Sequence, residues 1–320
     1  MRKLIVKFVC AFIPNKKLRH KIRDKYSYSY KTILLNKLNY IENLIKATHD
    51  ITNVPVAKGN IRLQQLASAK LLDLINSICE KHNITYWIHY GTLLGSIRHN
   101  GFIPWDDDID IAMQRTDYEK FIKLITKLLK NTDFHFGVDG FVKICYKDCP
   151  VWVDIFPFDN YYKQIKTKEE THTLKKDCDT ARSHFHYKVI KKEHKFYELR
   201  QCKKTYEEIR NLSDTIVMKN NPPAKNGDMF LGIDCWVLDN VIYKPEEIFP
   251  LKEYEFEGYK FKGPNNYHSV LQKYYGDFYS FPPDITPIHT NYTHFNVTNI
   301  KDMENFLQLD NKKILKTLLK

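Results

Sequence analysis

The chain has 320 residues, 43% of them hydrophobic and 14% aromatic, enough to bury a sizeable core and too apolar for a disordered or low-complexity protein. Lysine and arginine outnumber the acids 50 to 38, a net charge of +12, which favours an anionic partner without choosing between a phosphate-rich substrate, a membrane surface and nucleic acid. The seven cysteines form no Cys-x-x-Cys pair, which argues against a disulfide framework and fits a reducing, cytoplasmic compartment.

Residues 1–50 read as a basic, helical N-terminal segment. Residues 1–14 are apolar with Arg2, Lys3 and Lys7 interspersed, and they lack a small-residue cleavage site. The basic run Lys16, Lys17, Arg19, His20, Lys21, Arg23 and Lys25 follows. This pairing suits either an anionic membrane surface or an amphipathic docking helix, so peripheral membrane association is an expectation. No window holds the roughly 18 continuous apolar residues that a membrane span requires.

Residues 51–162 form the expected catalytic core. Leu63, Leu66, Leu71, Leu72, Leu74, Ile75 and Ile78 recur at helical spacing and predict a helix over residues 61–82. Residues 86–90 predict a strand, Gly91-Thr92 opens a short helix running to His99, and residues 106–113, alternating toward their end, predict a second strand. A helix over about 117–130 presents Phe121, Leu124, Ile125 and Leu128 on one face. Strands are expected at 134–138, 141–146 and 151–156.

Residues 163–225 form a charged helical insertion. Residues 226–285 complete the catalytic domain with extended segments and a helix over 268–275, and residues 286–320 form a helical tail. The fold class is α/β (α+β): a mixed sheet flanked by helices.

The chemistry concentrates between Gly91 and Met113. Asp108 and Asp110 lie two apart on a strand, so their carboxylates share one face while Ile109 and Ile111 turn to the other. Two like charges so close call for a cation between them. Hard ions such as Mg2+ or Mn2+ take oxygen ligands and leave positions open for phosphate. Asp154 repeats the pattern as a lone acid in the apolar run Val151-Trp152-Val153-Asp154-Ile155-Phe156. Burying it alone would cost several kcal/mol, on the order of an unpaired buried charge, unless it joins the same metal site.

Gly91 and Thr92 stand where a strand becomes a helix, and free N–H groups at such a terminus bind phosphate. Arg98, two turns on, can clamp phosphate oxygens. A calcium loop over Asp106, Asp108 and Asp110 fails because Ile111 occupies the position that needs glycine and Asp117 the one that needs glutamate. Zinc ligation by Cys178, His184 and His186 matches no usual spacing. The lysines are dispersed without interleaved aromatics, so no nucleic-acid partner is expected.

The segment from Tyr90 to Arg98, Tyr-Gly-Thr-Leu-Leu-Gly-Ser-Ile-Arg, followed by Gly101-Phe102-Ile103-Pro104-Trp105-Asp106-Asp107-Asp108-Ile109-Asp110-Ile111, resembles the signature of the LicD/fukutin-related family. So does Val153-Asp154-Ile155-Phe156-Pro157-Phe158. Phe256-Glu257-Gly258 and Tyr274-Tyr275-Gly276-Asp277, through Pro282-Pro283, resemble its later blocks.

The resemblance implies a nucleotidyltransferase-like fold. It also implies transfer of phosphocholine, or a related phospho-alcohol, from a CDP-activated donor, CDP-choline first, to a glycan or lipid-linked glycan. By position, Asp108, Asp110 and Asp154 match the family's metal ligands and Asp106 an acid beside them. Asp154 or Asp106 is the expected base. Two pairs compete for the phosphate loop: Gly91-Thr92, which follows a strand, and Gly95-Ser96, whose spacing to the acids matches the superfamily pattern. Trp87, Tyr90 and Trp105 are candidates to stack on the base or on choline. Ribitol- or glycerol-phosphate transfer, or nucleotidyl transfer, are the alternatives on the same fold.

Overall fold

The computed structural model describes residues 13–48, 50–138, 140–183, 206–235, 240–280 and 297–319, and it divides into two units, Met1–Asn53 and Val54–Lys320. His184, His186, Pro282, Pro283, residues 1–12 and much of the 163–225 segment lie outside the described residues. In the first unit, helix α1 (Lys16–Thr48) carries Leu34, Leu38, Ile41 and Ile45 at helical spacing, all exposed. Among the described residues no helix is long and apolar enough to cross a membrane.

The second unit is built on a mixed sheet. Helix α2 (Gly59–Lys81) buries Ala67, Leu71, Leu72, Leu74, Ile75 and Ile78, the face that the periodic leucines predict. It stops at Asn83, whose φ of 49° is a left-handed conformation that asparagine tolerates. Strand β1 (Trp87–Ile88) is shorter than expected, because helix α3 begins at Tyr90 and runs to His99. After strand β2 (Asp110–Gln114) and helix α4 (Arg115–Leu128) come strands β3 (Phe134–Val138), β4 (Val142–Tyr146) and β5 (Trp152–Asn160).

The sheet order is β1-β2-β5-β4-β3. Among the described residues only β2 and β5 pair in parallel; the crossover between them is α4 with the β3–β4 hairpin. Being central, both strands are buried on both faces: Ile111, Met113, Val153 and Ile155 on one, Ala112, Phe156 and Phe158 on the other.

Helix α5 (Lys168–Ser183) and helix α6 (Tyr206–Leu212), continued by a π-helical turn, form a second apolar cluster around Leu174, Ala181, Val217 and Ile233. A buried ion cluster ties this region to the sheet. Arg115 donates to both Asp159 and Asp234, and Arg210 reaches Asp159 at 3.0 Å. Burial pushes Asp159 up, but Arg115 and Arg210 outweigh it and leave the acid at about 2.

Strands β6 (Met229–Leu231) and β7 (Ile242–Tyr243) extend the sheet beside the far end of β5. After the short helix α7 (Pro245–Ile248), β8 (Lys252–Phe256) and β9 (Tyr259–Gly263) form a separate hairpin. Its turn, Glu257-Gly258, has φ of 52° and 78°, as a two-residue hairpin turn requires. Helix α8 (Tyr267–Tyr275) follows. The last helices, α9 (Val297–Gln308) and α10 (Asn311–Leu318), belong to the main unit: Met303 and Phe306 are fully buried, and Lys70 on α2 donates to the Leu307 carbonyl at 3.0 Å.

Candidate active site

Strand pairing assembles the acids. Asp110 and Asp154 are register partners across the parallel β2–β5 pair, so their side chains leave the sheet on one face. Asp108, two residues before Asp110, joins them. Carboxylate oxygens of Asp108, Asp110 and Asp154 lie within 4.8 Å of one another, and those of Asp106, Asp107 and Asp108 form a second such group. Oxygens around one Mg2+ sit roughly 3–4 Å apart, given metal–oxygen bonds of about 2.1 Å. Three hard anionic donors at this spacing therefore fit a divalent ion after small rotamer changes.

The electrostatics agree. Burial, then Asp108, Asp154 and Asp106, hold Asp110 well above the usual carboxylate range. Burial, then Asp108 and Asp107, do the same to Asp106, which also shares a hydrogen bond with Asp108. A site that forces acids to keep their protons is one that a cation would relieve.

The two glycine pairs on α3 have separate surroundings. A Cβ on Gly91 would lie 2.6 Å from Asp106 Oδ2 and 3.9 Å from Asp110 Oδ2, so the glycine lets the first turn of the helix approach the acids. Thr92 Oγ1 accepts the Asp110 backbone N–H at 2.8 Å, locking helix to strand. Gly95 instead packs on the 101–103 backbone, and Ser96 donates to the Glu255 carbonyl at 2.7 Å. The Gly95-Ser96 pair is thus engaged with the hairpin, while Gly91-Thr92 adjoins the carboxylates. Tyr90 holds a φ of 40° at the start of α3, backbone strain stored beside the acids.

Arg98 is buried. It donates to the Phe278 carbonyl at 3.0 Å, and burial lowers it to about 10, against the raising influence of Tyr275 and Asp106. It ties α3 to the chain just after α8. His89 is no base: burial pushes it down to about 3, and its ring packs among Tyr90, Phe158 and Tyr243.

Several supporting residues carry no local sequence signal. Gln64 and Gln65, both fully buried on α2, donate to the carbonyls of Asp107 at 2.9 Å and Asp106 at 2.8 Å. Arg62 forms a bidentate pair with Glu257 at 2.7 and 2.6 Å. Glu257 also accepts the Phe102 N–H and donates its own N–H to Asn100. The turn of the β8–β9 hairpin thereby clamps the loop that delivers the acids.

Of the stacking candidates, Trp87 is a correction: it is fully buried, edge-on to Phe158 and Phe249. Trp105 is half-buried against the core. Tyr90 instead starts an aromatic wall: Phe156 is 5.2 Å away and Tyr274 4.8 Å, with Tyr275 4.7 Å beyond Tyr274. Tyr274 and Tyr275 are 41% and 37% exposed, offering faces to a ligand. Burial, then Asp110, Tyr274, Asp106 and Asp108, hold the Tyr275 phenol well above its usual range; the wall borders the acids.

A family model described as LicD/FKTN/FKRP, nucleotidyltransferase domain, matches residues 83–196. The lipopolysaccharide cholinephosphotransferase LicD of Haemophilus influenzae is 30% identical over 277 residues, covering 71% of this chain and 94% of that protein. The chain belongs to the LicD/fukutin-related family. An uncharacterized protein of Rickettsia prowazekii is 29% identical over 177 residues, 52% of this chain and 60% of that one. The human ribitol 5-phosphate transferase FKRP is 40% identical over 40 residues, 12% of this chain and 8% of its own length. The part of this LicD-family chain matched by the model contains α3, the acids and Asp154, while Arg62, Glu257 and the α8 tyrosines lie outside it.

Proposed function

We propose that this protein is a metal-dependent transferase that moves phosphocholine from CDP-choline to a hydroxyl of a cell-surface glycan or its lipid-linked precursor. The observation that carries the reading is the convergence of Asp108, Asp110 and Asp154 on one face of the sheet. In this reading these three residues hold Mg2+ or Mn2+, which when bound neutralises the donor's phosphates and its departing CMP. The first turn of α3 at Gly91 meets the phosphate oxygens with its N–H groups. Thr92 keeps Asp110 in place, and Arg98 adds positive charge and fixes the segment after α8.

The acceptor oxygen attacks phosphorus as the bond from phosphorus to CMP breaks. Asp106, ionised once a bound cation offsets the burial and the crowding by Asp108 and Asp107 that otherwise raise it, takes the hydroxyl proton as general base. Tyr274 and Tyr275, backed by the buried Tyr90, receive the quaternary ammonium: aromatic faces bordered by carboxylates attract such a cation. The aromatic faces favour choline over ribitol, because only the quaternary ammonium gains cation–π attraction from them. The short match with a ribitol 5-phosphate transferase keeps ribitol phosphate as the second reading.

The experiment is CMP release from CDP-choline, CDP-ribitol and CDP-glycerol over a panel of glycan acceptors. Turnover with CDP-choline, reduced in Tyr274→Ala, is expected; turnover confined to CDP-ribitol would replace choline by ribitol. The N-terminal unit is read as a peripheral anchor, with exposed Lys16, Lys17 and Lys21 on α1 attracted to anionic lipid. Co-sedimentation with anionic vesicles should fall on deletion of residues 1–25 and in high salt; indifference to both would rule the anchor out.

A further inference from the structure

Lys143 on β4 is the register partner of Asp154, as Asp110 is on β2. Register partners on adjacent strands share a face, so Asp110, Asp154 and Lys143 form one row across three strands: carboxylate, carboxylate, ammonium. The Lys143 Nζ lies 2.5 Å from Asp154 Oδ1 and 2.7 Å from Oδ2. It also stands 4.7 Å from the Trp152 ring centroid and 5.9 Å from that of Phe141. The side chain is held in place, yet 29% of it remains exposed.

A fixed ammonium beside three metal-binding carboxylates has a consequence of sign. Coulomb repulsion between it and a divalent ion a few ångströms away weakens metal binding. The same ammonium strengthens the binding of an anion that bridges the metal and the protein, and phosphate oxygens accept strong charge-assisted hydrogen bonds. A site built only to hold a metal gains from Lys143 no more than help in ionising Asp110 and holding Asp154; a site built for a metal-bound diphosphate gains a cationic partner for the anion as well.

We propose that Lys143 is a donor-binding residue, which pairs with a phosphate oxygen of the activated donor on the Asp154 side of the site. The inference rests on the metal-bound phosphoryl donor read above. It differs from a role in merely propping Asp154, which would make metal and donor binding rise and fall together.

The test uses the full chain as wild type, Lys143→Met, Lys143→Gln and Lys143→Arg. Mn2+ binding is followed by electron paramagnetic resonance. Calorimetry at saturating Mn2+ then measures inorganic pyrophosphate and CDP-choline. Lys143→Met should bind Mn2+ at least as tightly as wild type. It should bind both phosphate probes about tenfold or more weakly, the loss of one hydrogen bond to a charged group. Lys143→Arg should recover most of that loss, and Lys143→Gln gives the same signature if the Met variant fails to fold. Parallel loss of Mn2+ and pyrophosphate, or unchanged pyrophosphate binding, would overturn the assignment. If wild type takes pyrophosphate but not CDP-choline, the donor class falls and Lys143 is still decided by pyrophosphate. If wild type takes neither, both readings fall.

Discussion

Asp110 and Asp154 stand directly opposite each other across two parallel strands, although α4, β3 and β4 separate them in the chain. Parallel pairing brings them into one carboxylate cluster with Asp108. Asp154→Ala should therefore be as damaging as Asp108→Asn, with CMP release reduced more than about 100-fold, beyond the loss typical of a residue that only supports a metal ligand. Circular dichroism should remain native in both. An Asp154→Ala enzyme with near-normal turnover would remove the third carboxylate from the site.

The raised Asp110 gives a pH prediction with a definite sign. Below the ordinary aspartate value of about 4, folded and unfolded chains are both protonated and the residue contributes nothing. Above it, the unfolded chain releases a proton that the folded, metal-free site retains, since Asp110 is held well above the usual range. Stability of the chelated protein is thus lost as pH rises from about 4 toward that raised value. In EDTA at pH 8, Asp110→Asn should melt higher than wild type, with the gap closing as pH falls toward 4. Mn2+ should abolish the wild-type deficit and bind more tightly at higher pH, because binding displaces protons. A variant that melts lower than wild type at pH 8 in EDTA would contradict this.

The two glycine-hydroxyl pairs on α3 separate by mutation. Thr92→Val removes the acceptor of the Asp110 N–H, a cost of about 1–3 kcal/mol, and displaces Asp110, a proposed metal ligand. Turnover should fall about tenfold or more. Ser96→Ala loses only the bond to the Glu255 carbonyl, about 1 kcal/mol of stability, with turnover near wild type. Paired melting curves and CMP-release rates decide; the reverse ranking in turnover would move the phosphate loop to Gly95-Ser96.

Arg62→Met should act at a distance. It leaves Glu257, whose side chain is 7% exposed, without its guanidinium partner, at about 1–3 kcal/mol. The loop from Asn100 to Asp108 then loses its clamp, and misplacement of catalytic groups by about 1 Å can cost up to 100-fold in rate. Expected are a lower melting temperature and weakened turnover together. Destabilisation with undiminished kcat would show that the acids hold their positions without the hairpin.

What could be read from the sequence followed local periodicity. The apolar neighbours of Asp154 and the leucine face of α2 each announce a strand or helix and the face it buries, and the two-residue spacing of Asp108 and Asp110 announces their convergence, although β2 begins only at Asp110 and Asp108 lies in the loop before it. The residues that sequence reasoning missed act across the fold. Arg62 meets Glu257, Gln64 and Gln65 reach the Asp106–Asp107 carbonyls, and Lys143 meets Asp154 only once β4 pairs with β5. No spacing rule reports such meetings. Trp87 was a misleading candidate because strand alternation alone does not tell a ligand-facing ring from a core one; here both faces of β1 are covered. The paired tyrosines Tyr274 and Tyr275 were visible as a motif, but their place beside Tyr90 depends on how α8 docks on α3.

The most direct test of the shared metal site is anomalous diffraction from crystals soaked in Mn2+. A Mn2+ peak bounded by oxygens of Asp108, Asp110 and Asp154 is expected, lost in Asp110→Asn crystals soaked identically. Mn2+ bound elsewhere with these three carboxylates unligated, or a peak that persists undiminished in Asp110→Asn, would contradict it.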